Sequence, residues 1–436
     1  MRSSITRRQF LVDSGKVAAG AGVFGSVLAA CGGSSPATSS AGPVSLNYWA
    51  LGYQPGGSTP AGKLTDSAVA AFIHSHSGSK VSVTGYTGDQ AGYTKLTQAI
   101  QGGGSVDAFR ISADELPVLV KQNLVSPIDD YLSTSDKSDI YPNLLSEIAS
   151  NGKHYAWPLW VPPVGMYINL DVFHERGIDP PSDNWTYEQF VEVAQKLTFT
   201  RSNGTKVYGY AAVVDPGVLN AWPFIMGDGA FPLNQNNTQY AFNSSQGISG
   251  LQKLVDLAHK YHVTPPDFGG SLSASDIQTG FGQRKTYAMY SAPSGDAAIY
   301  KAAGLNFDVK PMPIGGTGQH FTTGGIGLIA VASIQDTNRL KAAMDLGNYL
   351  TSAQVGEDVH GYYLAPGARK SVQVTNPIAK FSPFVAYTWI APIIAQWPQI
   401  RTLIHPQLQK AILGQISASD ALNGPASEVN SILSGS

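Results

Sequence analysis

A chain of 436 residues is long enough for two lobes with separate cores, and its 28 Lys and Arg against 30 Asp and Glu give a formal charge of −2. That balance lacks the basic excess of a nucleic-acid binder, and a single cysteine excludes both an intramolecular disulfide and a cysteine metal cluster. Charged residues make up only 13%, beside 47 Gly and 20 Tyr, so recognition surfaces should be neutral, aromatic and hydroxyl-rich, suited to an uncharged polar ligand with no metal and no cofactor.

The chain opens with Thr6-Arg7-Arg8-Gln9-Phe10-Leu11, a twin-arginine export pattern, followed by the apolar run Val17 to Ala30. As a helix that run spans roughly 21 Å, short of a bilayer core of roughly 30 Å, so residues 1–30 read as a signal peptide. Leu28-Ala29-Ala30-Cys31 resembles the bacterial lipobox, which implies cleavage before Cys31 and its acylation. Residues 31–43 are Gly, Ser, Ala, Thr and Pro, with the composition of a flexible tether. Removing residues 1–30, with Arg2, Arg7, Arg8 and Lys16 against Asp13, leaves a formal charge of −5, which disfavours polyanions further.

Val44 to Trp49 alternates as a first strand, and the glycine-rich loop 52–62 leads into a helix over 63–76. A second strand is expected over 81–86. A helix over 91–101 stops at Gly102-Gly103-Gly104, and a buried strand over 106–111 runs into a helix over 113–122. Strands alternating with helices imply βαβ units and a mostly parallel sheet. The segment from Asn151 to Phe173 is different: Pro158, Pro162 and Pro163 cannot donate ladder hydrogen bonds, while Val164 to Leu170 is ready to pair again. It reads as a crossover between two lobes, with Trp157, Trp160 and Tyr167 beside it. Thr186, with Gln189 three residues on, predicts a capping box at a helix start. The 234–237 run reads as a solvated turn, and Trp389 and Trp397 share an apolar, helix-like segment.

Several of these stretches, taken in order, resemble the extracellular solute-binding proteins of bacterial ABC importers, carbohydrate-binding (maltose-type) branch. They are Tyr93 to Gln101, Val106-Asp107-Ala108, Leu124 to Leu132, Gly152 to Pro158, Tyr167-Ile168-Asn169-Leu170-Asp171-Val172-Phe173, Trp185 to Phe190, Gly280 to Met289, Pro311-Met312-Pro313 and Gly324 to Gly327. The chain departs from the pattern at Val106, where proline is frequent, and at Pro162-Pro163, where the maltose-type branch carries a sugar-contacting carboxylate. The resemblance implies a two-lobed α/β fold of mostly parallel sheets. The N-terminal lobe would comprise 44–160 plus 315–365 and the C-terminal lobe 161–314 plus 366–436, with crossings near Trp160, near 311–316 and after Tyr363. It also implies a lipid-anchored monomer on the outer face of the cytoplasmic membrane. Such a protein captures a mono- or oligosaccharide by hinge closure and delivers it to a membrane permease, whose partner subunits hydrolyse ATP.

A sugar pairs an apolar ring face with a rim of hydroxyls, so a site for it needs flat aromatics beside Asp, Asn, Gln or Arg. The candidate ligand-binding residues are Tyr48, Trp49, Arg110, Asp114, Trp160, Tyr167, Trp222, Tyr290, Ser294, Gly295, Gly325, Tyr363, Arg369 and Trp389. Asp114 stands where the maltose-type branch has a sugar-contacting aspartate, and is otherwise a helix cap. Arg110 could instead serve a structural carboxylate, and each ring could be core. Gly325 either lets backbone approach a ligand or makes a turn. A secreted glycan-processing hydrolase remains an alternative, since Asp114-Glu115, Asp129-Asp130 and Glu188 offer paired carboxylates; a surface glycan adhesin is another. No Gly-x-Ser-x-Gly elbow, His-Glu-x-x-His or Walker lysine occurs, which favours binding without catalysis.

Overall fold

The computed structural model describes residues 44–435 except 55–58, 88–89, 104–105, 216–218 and 271. The signal segment, Cys31 and the tether lie outside the described residues.

The chain builds two sheets in succession. The first forms from β1 (Ser45–Leu51), β2 (Lys80–Tyr86), β3 (Ala108–Ser112) and β4 (Trp157–Trp160). The second takes β5 (Val164–Asn169), β6 (Phe199–Thr200), β7 (Lys206–Ala211), β8 (Tyr287–Pro293) and β9 (Phe307–Lys310). The chain then passes through β10 (Thr322–Gly324) and returns to the first sheet as β11 (Gly327–Val331), and later forms β12 (Thr388–Ile390). Strand order is β2-β1-β3-β11-β4 in the first sheet and β9-β5-β8-β7-β6 in the second.

Each sheet is mixed. β1 pairs parallel with β2 and β3, as helix-bearing crossovers require, because the helices Pro60–Ser75 and Gln90–Gln101 carry the chain back across the sheet. β11 and β4 run antiparallel because one arrives from the second lobe and the other departs for it. In the second sheet only β7–β8 is parallel, and β8–β5, β9–β5 and β6–β7 are antiparallel. The hydrophobic core divides in the same way, one cluster around each sheet. The capping box is present: the Thr186 hydroxyl accepts from the Gln189 amide, Gln189 reciprocates, and the helix Tyr187–Lys196 follows.

Three crossings join the lobes, and they lie side by side. Residues 161–163 carry no named strand, since two prolines interrupt the ladder, yet Pro163 bridges Gly324. β10 in turn pairs parallel with β12. The approach demands glycine at 324, where an added Cβ would meet Thr388 Cγ2 at 2.7 Å and the Pro162 carbonyl at 3.1 Å.

Two boundaries differ from expectation. Residues 366–374 stay with the first lobe: Ala368 and Val372 sit in its core, and Val161 donates to the Pro366 carbonyl at 2.9 Å, so the chain does not leave that lobe directly after Tyr363; beyond it, 378–390 packs on both cores, with Phe381 and Phe384 in the second and Val385 and Ile390 in the first. Residues 315–317 stay with the second lobe, where Gly316 donates to Asp228 at 2.7 Å and Thr317 to the Gly227 carbonyl. The Trp389 segment is the short strand β12 rather than part of a helix, because Pro392 closely precedes the helix Trp397–Ile412.

Candidate functional site

The carboxyl ends of β1, β3 and β8 converge on the crossings, and a cavity of about 380 Å³ opens there between the lobes. Its walls include Leu51, Arg110 to Asp114, Trp160, Pro162, Asn220, Pro293, Gly324 to Gly327 and Arg401. Arg110 leaves β3 with its guanidinium 5.3 Å from the Trp160 ring centroid, and it donates to the Leu51 carbonyl. The ring can lie across β11 because position 327 is glycine; a Cβ there would sit 2.4 Å from Trp160 Nε1. Arg401, on the helix Trp397–Ile412 of the second lobe, faces Asp114 of the first at 3.8 Å. That is an ion pair without a hydrogen bond. The Nε of Arg401 is buried and finds no acceptor among the described residues.

This arrangement combines a flat ring with a guanidinium over it and a second guanidinium whose fork has open donors, beside a carboxylate that accepts no hydrogen bond among the described residues. It can hold hydroxyls through paired donors and acceptors and cover an apolar ring face. Pro162 and Val164 add apolar wall.

Of the residues singled out from sequence, the structure brings Arg110, Asp114, Trp160 and Gly325 together in this chamber. Trp389 lines a neighbouring chamber of about 510 Å³, which shares Ile390 with the first. The others lie outside this chamber. Tyr48 and Trp49 are buried in the first core, where burial pushes the Tyr48 hydroxyl up to about 12. Tyr167 and Tyr290 stack within the second core at 6.3 Å, and the Tyr167 hydroxyl donates to the Pro293 carbonyl, behind the cavity floor rather than in it. Burial pushes both hydroxyls well above the usual tyrosine range. Trp222 is enclosed by Phe242, Trp389 and Trp397 and donates to His405 Nε2 at 3.1 Å. Ser294 is buried, its amide donating to the Pro163 carbonyl, and Gly295 caps the helix Asp296–Ala302. Tyr363 donates to the Ser352 carbonyl inside the first lobe. Arg369, 4% exposed, pairs with Asp136 and donates to Asn348 at 2.6 Å.

Sequence reasoning did not single out Arg401 and Asn220, which line the central cavity. Arg401 had a signal: it interrupts the buried helical stripe of Trp397, Ile400, Ile404 and Leu408, where a charged group needs a purpose. The 234–237 run does make a turn, with the Asn234 side chain accepting from Thr238 and Gln239, but Asn234, Gln235 and Asn237 also line the neighbouring chamber.

Residues 56–357 match the family model described as bacterial extracellular solute-binding protein. The chain belongs to that family. This solute-binding protein is 24% identical over 218 residues to a maltotriose-binding protein of Pyrococcus abyssi, covering 50% of the chain and 44% of the relative. It is 25% identical over 296 residues to an sn-glycerol-3-phosphate-binding periplasmic protein of Pectobacterium atrosepticum, covering 62% of the chain and 64% of the relative. The matches thus span less than two thirds of these curated relatives. Among solved structures, the cyclic alpha-maltosyl-1,6-maltose binding protein of Arthrobacter globiformis superposes with a TM-score of 0.76 at 20% identity, covering 91% of this chain and all of that one. The two-lobed α/β fold expected from sequence is therefore shared with known solute-binding proteins.

Proposed function

We propose that this solute-binding protein captures a saccharide in the interlobe cleft by hinge closure and hands it to the permease of an ABC importer. The observation that carries the reading is the central chamber: the Trp160 ring, the stacked Arg110 and the open Arg401–Asp114 pair, contributed by both lobes. A ligand closes a hinge only insofar as it binds the closed state better than the open one, and a site divided between lobes supplies that difference. Sugar-binding relatives of the same fold support the ligand class.

Catalysis is not part of the proposal. Glycoside hydrolysis uses two carboxylates flanking the bond, whereas Asp114 is the one acid among the described residues of the central chamber and it faces an arginine. Cys31 would carry the lipid anchor, and the protein would act as a monomer outside the cytoplasmic membrane; Cys31→Ala should release it into the soluble fraction. A thermal-shift screen across mono- and oligosaccharides, polyamines, peptides and metal ions tests the ligand class. A rise in midpoint with sugars is expected, and a rise with the other classes alone overturns the proposal.

A further inference from the structure

The chain as a whole carries little charge, which suits an uncharged ligand, but the walls of the central chamber do not follow that average. Among the described residues three ionisable side chains line it: Arg110, Arg401 and Asp114. Guanidiniums stay charged at any physiological pH, so two positive charges stand against one negative and the walls keep an excess of one positive charge. Neither guanidinium is saturated within the fold. Arg110 donates to the Leu51 carbonyl, a neutral acceptor, and otherwise lies over the Trp160 ring. Arg401 comes no closer than 3.8 Å to Asp114, and its Nε is buried without an acceptor among the described residues. Its side chain remains 21% exposed at the chamber wall, so a bound molecule can reach the fork. Glu115, the next acid along the chain, does not line the chamber, and burial first and then Asp114 push its pKa up, which works against its supplying the absent counter-charge.

Enclosing a guanidinium away from water without a full counter-charge is costly, and a neutral hydroxyl offsets only part of that cost. A carboxylate or phosphate oxygen pair matches the guanidinium fork with two parallel hydrogen bonds, each roughly twice as strong as a neutral one, and cancels the excess charge. Because Arg401 belongs to the second lobe and Arg110 to the first, an anionic group between them favours the enclosed state over the open one more than a hydroxyl does. We infer that the saccharide is acidic: its anionic group, a carboxylate or a phosphate, is taken by Arg401, with Arg110 adding positive charge and Trp160 covering a face of the sugar ring.

The inference rests on the saccharide reading above, and the test separates the two. Purified protein would be titrated calorimetrically with glucose, galactose and mannose, each against its uronate and its phosphate ester. Maltose and cellobiose would be run against their aldobionates, with acetate and inorganic phosphate as sugar-free anions. For at least one sugar, the acid should bind about tenfold or more tighter than its neutral parent, and the tighter of uronate and phosphate ester tells which anionic group the site takes. Arg401→Gln should shrink that preference to within about twofold, whereas Asp114→Asn, which removes the opposing charge, should widen it. A purely structural role for either residue would move acid and neutral affinities together and leave their ratio unchanged. Neutral sugars that bind as tightly as their acids, or a preference that survives Arg401→Gln, overturn the acidic ligand and leave the saccharide reading intact. Binding of the sugar-free anions alone, or of no compound in the set, overturns both.

Discussion

Arg369 and Arg401 both reach an aspartate. Inside the first lobe, the two terminal amino groups of Arg369 are taken up by Asp136 and Asn348, its Nε alone lacking an acceptor among the described residues, and the guanidinium lies over the Trp157 ring; Asp136 is itself held by Ser133. Across the cleft, Arg401 approaches Asp114 no closer than 3.8 Å and makes no side-chain hydrogen bond among the described residues. One pair is closed, joining segments far apart in sequence within a single core. The other is open, set between two cores and lining a cavity. Charge alone does not separate them; the number of donors left without acceptors does.

Removing a partner from the closed pair should have the largest effect. Arg369→Ala strands the Asp136 carboxylate, and urea unfolding should show a loss of about 3–5 kcal/mol. Burial pushes the Asp136 pKa up, but the hydrogen bonds from Ser133 and Arg369 outweigh it and hold the group below the usual carboxylate range. With the folded pKa depressed, its contribution is present above the unfolded value and is lost as pH falls through the folded one. The deficit of Arg369→Ala relative to the parent should therefore shrink in acid.

The open pair should behave in reverse. Arg401→Gln should leave unfolding within about 1 kcal/mol of the parent, since the pair lacks a hydrogen bond, and should lower saccharide affinity about tenfold by calorimetry. A large stability loss there would make Arg401 another structural arginine and erase the contrast. Between these lies Thr186→Ala, which removes a helix cap remote from the cleft: about 1 kcal/mol of stability with unchanged affinity. The smallest change concerns Glu147. Its folded pKa is raised, so ionisation destabilises the fold as pH rises past the unfolded value; Glu147→Gln should raise the unliganded midpoint at neutral pH and lose that advantage in acid.

Much of the first lobe was legible because its strands and helices alternate with punctuation at Gly102 to Gly104, and because two prolines mark the crossover. The lining of the central cavity was legible in part, where a residue lies in a strand at the cleft or in the turn that follows it, as for Arg110, Trp160 and Asp114. Tyr167 shows why the rest was not. Only a few residues separate it from Trp160, yet the prolines end one ladder and another begins in a different sheet, so side-chain alternation restarts and the ring turns inward. A tyrosine reads the same in either orientation. Arg401 lies on a helix, eleven residues beyond the end of β12, and only the assembled lobes bring it to the cavity. The place of 366–374 in the first lobe was hidden for a similar reason, since that stretch has no regular element and is placed by single contacts such as Val161 to Pro366.

The contact of Pro163 with Gly324 and of β10 with β12 also limits how the molecule can move. Three separate linkers would let the lobes twist and slide independently. Three linkers laid edge to edge act as one narrow strip, stiff in its plane and soft across it, so relative motion of the lobes reduces to folding along a single line. A bulkier residue at 324 would wedge the strip apart and admit other directions of motion, and orientation would become variable before affinity was touched.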